Sequence, residues 1–340
     1  MWILELPPFV PFLITALFFP FLKGLLLKVL LLLTPLWGMA NLWYLEPQTL
    51  WSLSLFELSL TPLRIDKLSL IFGYIFHIAA FFTIIYGLHV RDRIQQIATL
   101  LYVSGALGAI FAGDLLTLFI FWEMMAITSV FLIWSRRSST SYASGFRYLV
   151  YQFMSGLLLL VGTVLYWHQH GDLTFTHFEL GDLATWLIFF AFGIKCAFPM
   201  LHTWLTDAYP EATVTGTVML SALTTKVAVY ALARGFAGTE ILIYIGAIMT
   251  CFPIFYAVIE NDLRRVLAFS LINQLGFMVV GIGIGTELAL NGSVAHAVND
   301  ILFKGLLFMS MGAVLHMTGK IRASELGGLY KTMPKTTLLC

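Results

Sequence analysis

Charge is what this chain has least of. Only 11% of its 340 residues are Asp, Glu, Lys or Arg, and 59% are hydrophobic, against about 25% and 45–50% in soluble domains. A mean hydropathy of +0.89 excludes a soluble globular domain. The net charge of +1 leaves neither a basic patch for nucleic acid nor an acidic tail. Cysteine is nearly absent too: Cys196, Cys251 and Cys340 lie far apart with no CxxC pair, so no zinc site, redox motif or disulfide framework is expected. No nucleophile with its base, no phosphate loop and no cofactor motif occurs, and neither a cofactor, a metal nor catalytic chemistry of its own is expected. Gly281-Ile-Gly283-Ile-Gly285 has no preceding strand and reads as close helix packing, not a dinucleotide fingerprint. His168 and His170 read as solvated loop residues. The opening apolar stretch lacks a basic flank and a small-residue cleavage site, and reads as a retained helix.

Long apolar runs are what the chain has. A spanning helix needs about 20 mostly apolar residues, because lipid offers the backbone no hydrogen-bond partners. Segments at about 8–22, 24–44, 68–90, 95–113, 115–134, 145–168, 183–206, 214–236, 239–259, 264–284 and 290–317 meet that test. They predict an all-α polytopic membrane protein of about 11 transmembrane helices, embedded in a lipid bilayer as one membrane domain. The connections near 45–67 and 168–182 read as surface loops. Positively charged loops stay cytoplasmic. With the N-terminus outside, the inner loops hold Lys23, Lys28, Arg91, Arg93, Arg136, Arg137, Arg147, Arg264, Arg265, Lys320, Arg322, Lys331 and Lys335, while Arg64, Lys67 and Arg234 fall outside. Arg136-Arg137 and Arg264-Arg265 are read as topology signals, and the plasma (inner) membrane is the expected location. Trp43, Tyr44 and Trp167 fit an aromatic interface belt.

Against that background the ionisable residues inside spans stand out. Each lysine at mid-bilayer costs about 2.5–3.5 kcal/mol or more unless it meets a partner or water. Lys195 is followed by Pro199, whose ring presses on the carbonyl four residues back, that of Lys195 itself. A broken helix beside the charge is predicted there, with His202 just beyond it. Lys226 sits among Ser, Thr and Ala residues that allow close packing and can hold water, and no acid is near it in sequence. His296, Asp300 and Lys304 fall four apart, on nearly one helical face, either as a titratable ladder or with Asp300 and Lys304 neutralising one another. Glu123, in an apolar helix without a nearby base, should be protonated or paired with Lys195 or Lys226. Asp114 and His316 read as interfacial.

Several motifs in one order carry a resemblance: Phe-Trp122-Glu123-Met, Gly-Ile-Lys195 through Pro199, His202, Trp204 and Asp207-Ala208, Leu-Thr-Thr-Lys226, and His296 with Phe-Lys304-Gly-Leu-Leu-Phe. Over about residues 60–335 the chain resembles the proton-translocating antiporter-like subunits. These include the D-type subunit of Mrp-type cation/proton antiporters and the large membrane subunits of complex I and related hydrogenases. The resemblance implies inverted five-helix repeats, here 95–236 and an incomplete 237–340 after N-terminal flanking helices at 1–94. It implies that Glu123 and Lys195 form the coupled pair of one half-channel, that Lys226 leads protons to mid-membrane, and that His296 and Lys304 continue a central polar axis. It implies other membrane subunits as partners, with protons, alone or exchanged for Na+ or K+, as the ions moved. Asn273-Gln274 and Asn299-Asp300 depart from the pattern, and the second broken helix of the family is not present by Cys340. Two further readings stay open: a proton-pumping subunit of a redox-driven complex, and a truncated structural paralogue.

Overall fold

The apolar runs become a helical bundle in the computed structural model, which describes residues 6–46, 50–55 and 58–340. Among the described residues, nine helices are long and apolar enough to cross a bilayer: α2 (Gly24–Tyr44), α3 (Lys67–Gly87), α4 (Arg93–Phe111), α5 (Leu115–Trp134), α6 (Ser139–His170), α9 (Val214–Gly235), α10 (Ile241–Ile259), α11 (Leu263–Ile284) and α12 (Glu287–Thr318). Two shorter apolar helices join them, α1 (Val10–Phe18, continued as a 3-10 turn) and α7 (Leu183–Lys195), with α8 (Thr203–Glu211) directly after α7. The chain closes on the short helices α13 (Leu329–Thr332) and α14 (Pro334–Leu339).

Polar residues that the apolar runs exclude collect at helix starts. Asp66, Asp92, Asp114, Asp182 and Asp262 each accept from a backbone N–H of the first turn, as do Ser138, Thr213 and Thr286. These donors have no partner inside the helix and none in lipid. Gly171, Gly285 and Gly319 end α6, α11 and α12 in the left-handed conformation, which a residue without Cβ adopts freely.

The helix α9 is the axis of the bundle. Within its apolar window 94% of the residues are buried, against 22% in α10, so α10 lies at the periphery and α9 in the core. It packs on α3, α4, α5, α7, α8, α11 and α12.

Two expectations are corrected here. The connection at 45–67 is not simply a loop: β1 (Leu50–Leu55) and β2 (Leu58–Arg64) pair antiparallel, Leu50 opposite Arg64, with a bulge between Trp51 and Leu53. The alternating Leu-Ser pattern carries the period of two that strands need. Asp114 stands at the start of α5, as expected, but at 2% exposed it is enclosed by protein and not open to solvent. Its carboxylate caps α5 through Thr117 N–H at 2.7 Å and accepts from the Thr61 N–H of β2 at 2.6 Å, which fixes the hairpin over the bundle.

Candidate functional site

The span expected at 183–206 is interrupted as Pro199 requires. α7 ends at Lys195, and the chain turns through Ala197 (φ 62°) and Met200 (φ 68°) before α8 begins at Thr203. The Phe198 N–H reaches back to Gly193 O at 3.0 Å and the Ala197 N–H to Ile194 O at 3.0 Å, a paired closure that satisfies the last carbonyls of α7. The Ile194 carbonyl also accepts the Trp204 indole N–H at 2.9 Å. Positive φ at two residues with side chains is a strained arrangement, held here by those bonds.

Lys195 is fully buried at this break. Its Nζ donates to Trp122 O at 3.1 Å and stands 4.2 Å from the centroid of the Trp122 ring, a cation held by a carbonyl dipole and an aromatic face. The indole is fixed in turn: Trp122 Nε1 donates to Ser155 Oγ at 2.9 Å, and that hydroxyl donates to Ala191 O at 2.7 Å. Glu123 is half-buried, its carboxylate lying over Gly156, where any Cβ would overlap it. Its Oε1 has no protein partner. Glu123 makes no ion pair within 4.0 Å with Lys195 or Lys226, although the Lys195 charge acts on it across the gap. The expected direct pair is thus an open one, because the ammonium takes the carbonyl of Trp122 instead of the neighbouring carboxylate.

Lys226 finds the acid that its own sequence neighbourhood lacks. Lys226 Nζ is 2.5 Å from Asp300 Oδ2, both side chains fully buried, and it also donates to Ser221 O at 3.1 Å. Asp300 therefore does not neutralise Lys304, whose Nζ donates to Ser270 Oγ at 2.5 Å. Lys304 still feels both the Asp300 and the Lys226 charges. Pairing runs between α9 and α12, which are adjacent, and not along α12. His296 does not complete a ladder: it is half-buried, its Nε2 has no protein partner and its ring stands edge-on to Phe277 at 6.1 Å. His202 stands at the N-cap position of α8 without a side-chain capping bond, beside Phe252 with ring centroids 4.7 Å apart and Nδ1 unpartnered. His316 is exposed near the end of α12. Among the described residues no group of three His, Cys, Asp or Glu side chains could hold a metal.

Sequence reasoning missed what holds the broken helix. Arg264, read as a topology signal, is only 3% exposed. Its guanidinium donates to Tyr209 O at 3.1 Å, Ala212 O at 2.8 Å and Thr213 O at 3.4 Å, and to the Thr217 hydroxyl. Arg136 donates to Pro210 O at 2.7 Å and Glu211 Oε2 at 3.1 Å, and Arg147 grips Asp207 with two bonds at 2.7 and 3.0 Å. Three guanidinium groups from α5's end, α6 and α11 thus fix α8, with cations at its C-terminal, negative end. Nothing in the local sequence separates Arg264 from Arg265, since burial is decided by helices distant in the chain.

Residues 112–340 match the family described as NADH:quinone oxidoreductase/Mrp antiporter, transmembrane. The chain belongs to that family. It is 30% identical over 318 residues to the F(420)H(2) dehydrogenase subunit L of Methanosarcina mazei, covering 81% of this chain and 47% of that protein. It is 32% identical over 254 residues to the D-type Na(+)/H(+) antiporter protein of Alkalihalophilus pseudofirmus, covering 68% of this chain and 51% of that one. The chain spans about half the length of these curated relatives. Its fold is that of a chain in the Mrp complex from a Dietzia species, with a TM-score of 0.87 at 24% identity over 98% of this chain and 68% of that one. It is also that of a chain in an archaeal membrane-bound sulfane sulfur reductase, with a TM-score of 0.85 at 22% identity over 98% of this chain and 75% of that one.

Proposed function

We propose that this chain forms the ion-translocating part of a subunit in a multi-subunit complex of the plasma membrane, its N-terminus outside, exchanging protons for a monovalent cation, Na+ or K+. The observation that carries the reading is the set of charges inside the bundle, half-buried Glu123 on α5 and buried Lys195 on α7, Lys226 on α9, Asp300 and Lys304 on α12. Its physical logic is a sequence of neighbouring charges in low dielectric, where two unit charges at 4 Å interact by about 4 kcal/mol at an effective dielectric of 20. Protonating Glu123 removes the field that favours the ammonium of Lys195. On α12, Lys304 and the Lys226–Asp300 pair form the next group of charges, so a proton gained or lost at one of them changes the balance at the others. The antiporter relative supports antiport of Na+ and H+, and the dehydrogenase relative supports a redox-driven alternative in which partner subunits supply the chemistry.

The fully buried Lys226–Asp300 contact also favours a second reading, in which the pair only ties α9 to α12 in a structural subunit. Both are tested in vesicles carrying the assembled complex. Under the transport reading, Glu123→Ala, Lys195→Ala and Lys226→Ala abolish cation-dependent pH changes while native electrophoresis shows the complex intact. Under the structural reading the same substitutions dissociate the complex, and transport by intact variants at the wild-type rate would dismiss the relay.

A further inference from the structure

One fully buried amide belongs to none of the interactions described so far. Gln152, on α6, has no exposed surface, and neither its Nε2 nor its Oε1 has a partner in the protein. A buried group with two donors and an acceptor left bare is costly, and such groups are satisfied by protein or by ordered water.

The neighbours of Gln152 define the space. Positions 148, 152 and 155–156 fall on successive turns of one face of α6. The Tyr148 hydroxyl is 2.8 Å from Ser129 Oγ of α5. Ser155 joins the Trp122 indole of α5 to the Ala191 carbonyl of α7. Gly156 lies against the Glu123 carboxylate, whose Oε1 is likewise buried and unpartnered. Gln152 therefore lies on the face of α6 that carries Tyr148, bonded to Ser129 of α5, one turn before it and Gly156, against Glu123, one turn after it. Unpaired donors and acceptors buried near one another are the partners that an ordered water needs, whereas a purely apolar site stays dry.

We infer that Gln152 is a positioning residue that holds ordered water between the Tyr148–Ser129 hydroxyl pair and Glu123, and that protons reach the Glu123 carboxylate through this water. The inference rests on the transport reading above. A proton arriving on the water from one side releases another to Glu123 on the other, and the amide gains and loses none. Gly156 serves the same path by leaving room for the carboxylate to face α6.

A high-resolution map of the wild-type complex is the first test, and it needs no variant to fold. It should show water within about 3.2 Å of both amide atoms of Gln152; a dry site, or an amide paired directly with protein, overturns the inference. Proton flux in proteoliposomes is the second. Gln152→Leu should slow it by about tenfold or more, while Gln152→Glu, which still binds water, restores most of it. Equal flux in Gln152→Leu and wild type, or equal loss in both variants, contradicts the positioning role. Glu123→Gln measured alongside separates the two levels. If it too runs at the wild-type rate, the transport reading has failed; if it stops flux while Gln152→Leu does not, only the role of Gln152 has failed.

Discussion

Two buried lysines, one helix apart, are handled in opposite ways. Lys226 is locked: continuous helices α9 and α12 bring Asp300 to 2.5 Å from its ammonium. Lys195 is loose: a broken helix delivers it to a backbone carbonyl and an indole face, with Glu123 near enough to be felt but outside ion-pair distance. A charge held by a full ion pair is expensive to disturb, whereas one held by dipoles changes its protonation or position at smaller cost. The difference teaches that the helix break does more than relieve Pro199. It places one amine against a carbonyl dipole and an indole face in place of a carboxylate.

The largest expected effect tests the locked site. Asp300→Ala leaves the Lys226 ammonium buried without its counter-charge and should lower stability by about 3–5 kcal/mol, read as a fall in thermal unfolding temperature of the purified complex. Lys195→Met, which leaves behind only the half-buried Glu123 outside ion-pair distance, should cost less than Asp300→Ala in the same assay. Equal losses in the two variants would erase the distinction.

Next comes the frame that keeps the loose site in place. Arg264→Ala strips the Tyr209, Ala212 and Thr213 carbonyls of a charged donor and should cost about 2 kcal/mol. Arg264→Lys should recover only part of this, since an ammonium cannot fan its donors over several carbonyls as a guanidinium does. Protease accessibility of α8 reads the effect locally. No increase in either variant would show that Arg136 and Arg147 suffice.

The smallest effect is expected away from both sites, where Asp66 accepts two bonds from Arg234 at 2.9 and 2.6 Å. Burial pushes the Asp66 carboxyl up, but Arg234 and the Ser69 N–H outweigh it, so its pKa lies below the ordinary carboxylate value. A depressed carboxylate contributes stability that is present above its unfolded value of about 4 and is lost as pH falls through the lower folded value. Asp66→Asn should cost at most about 1 kcal/mol at neutral pH, because the group is 35% exposed and screened. It should also flatten the acid side of the stability profile, and an unchanged profile would show that the tie contributes nothing.

Helices were legible because lipid imposes a length and composition that a single chain displays openly. The break at Lys195 was legible because proline acts on the carbonyl four residues back, within the same segment. Cross-helix chemistry was not. Spacing within α12 suggested that Asp300 answers Lys304, yet the amine that reaches Asp300 comes from α9, a helix distant in sequence. Arg264 looked like a loop charge because nothing near it in sequence shows the carbonyls around α8 and the start of α9 that enclose it. The hairpin of β1 and β2 was readable in its Leu-Ser alternation but was obscured by the surrounding helical pattern.

The most direct measurement is proton flux through the assembled complex carrying Lys226→Met and Asp300→Leu together. Removing both partners avoids a stranded buried charge, so the variant should remain folded and assembled. If the set of charges moves protons, flux is abolished in this stable double variant. If flux continues at the wild-type rate, the pair is a fastener between α9 and α12, and the account of translocation by these charges is wrong.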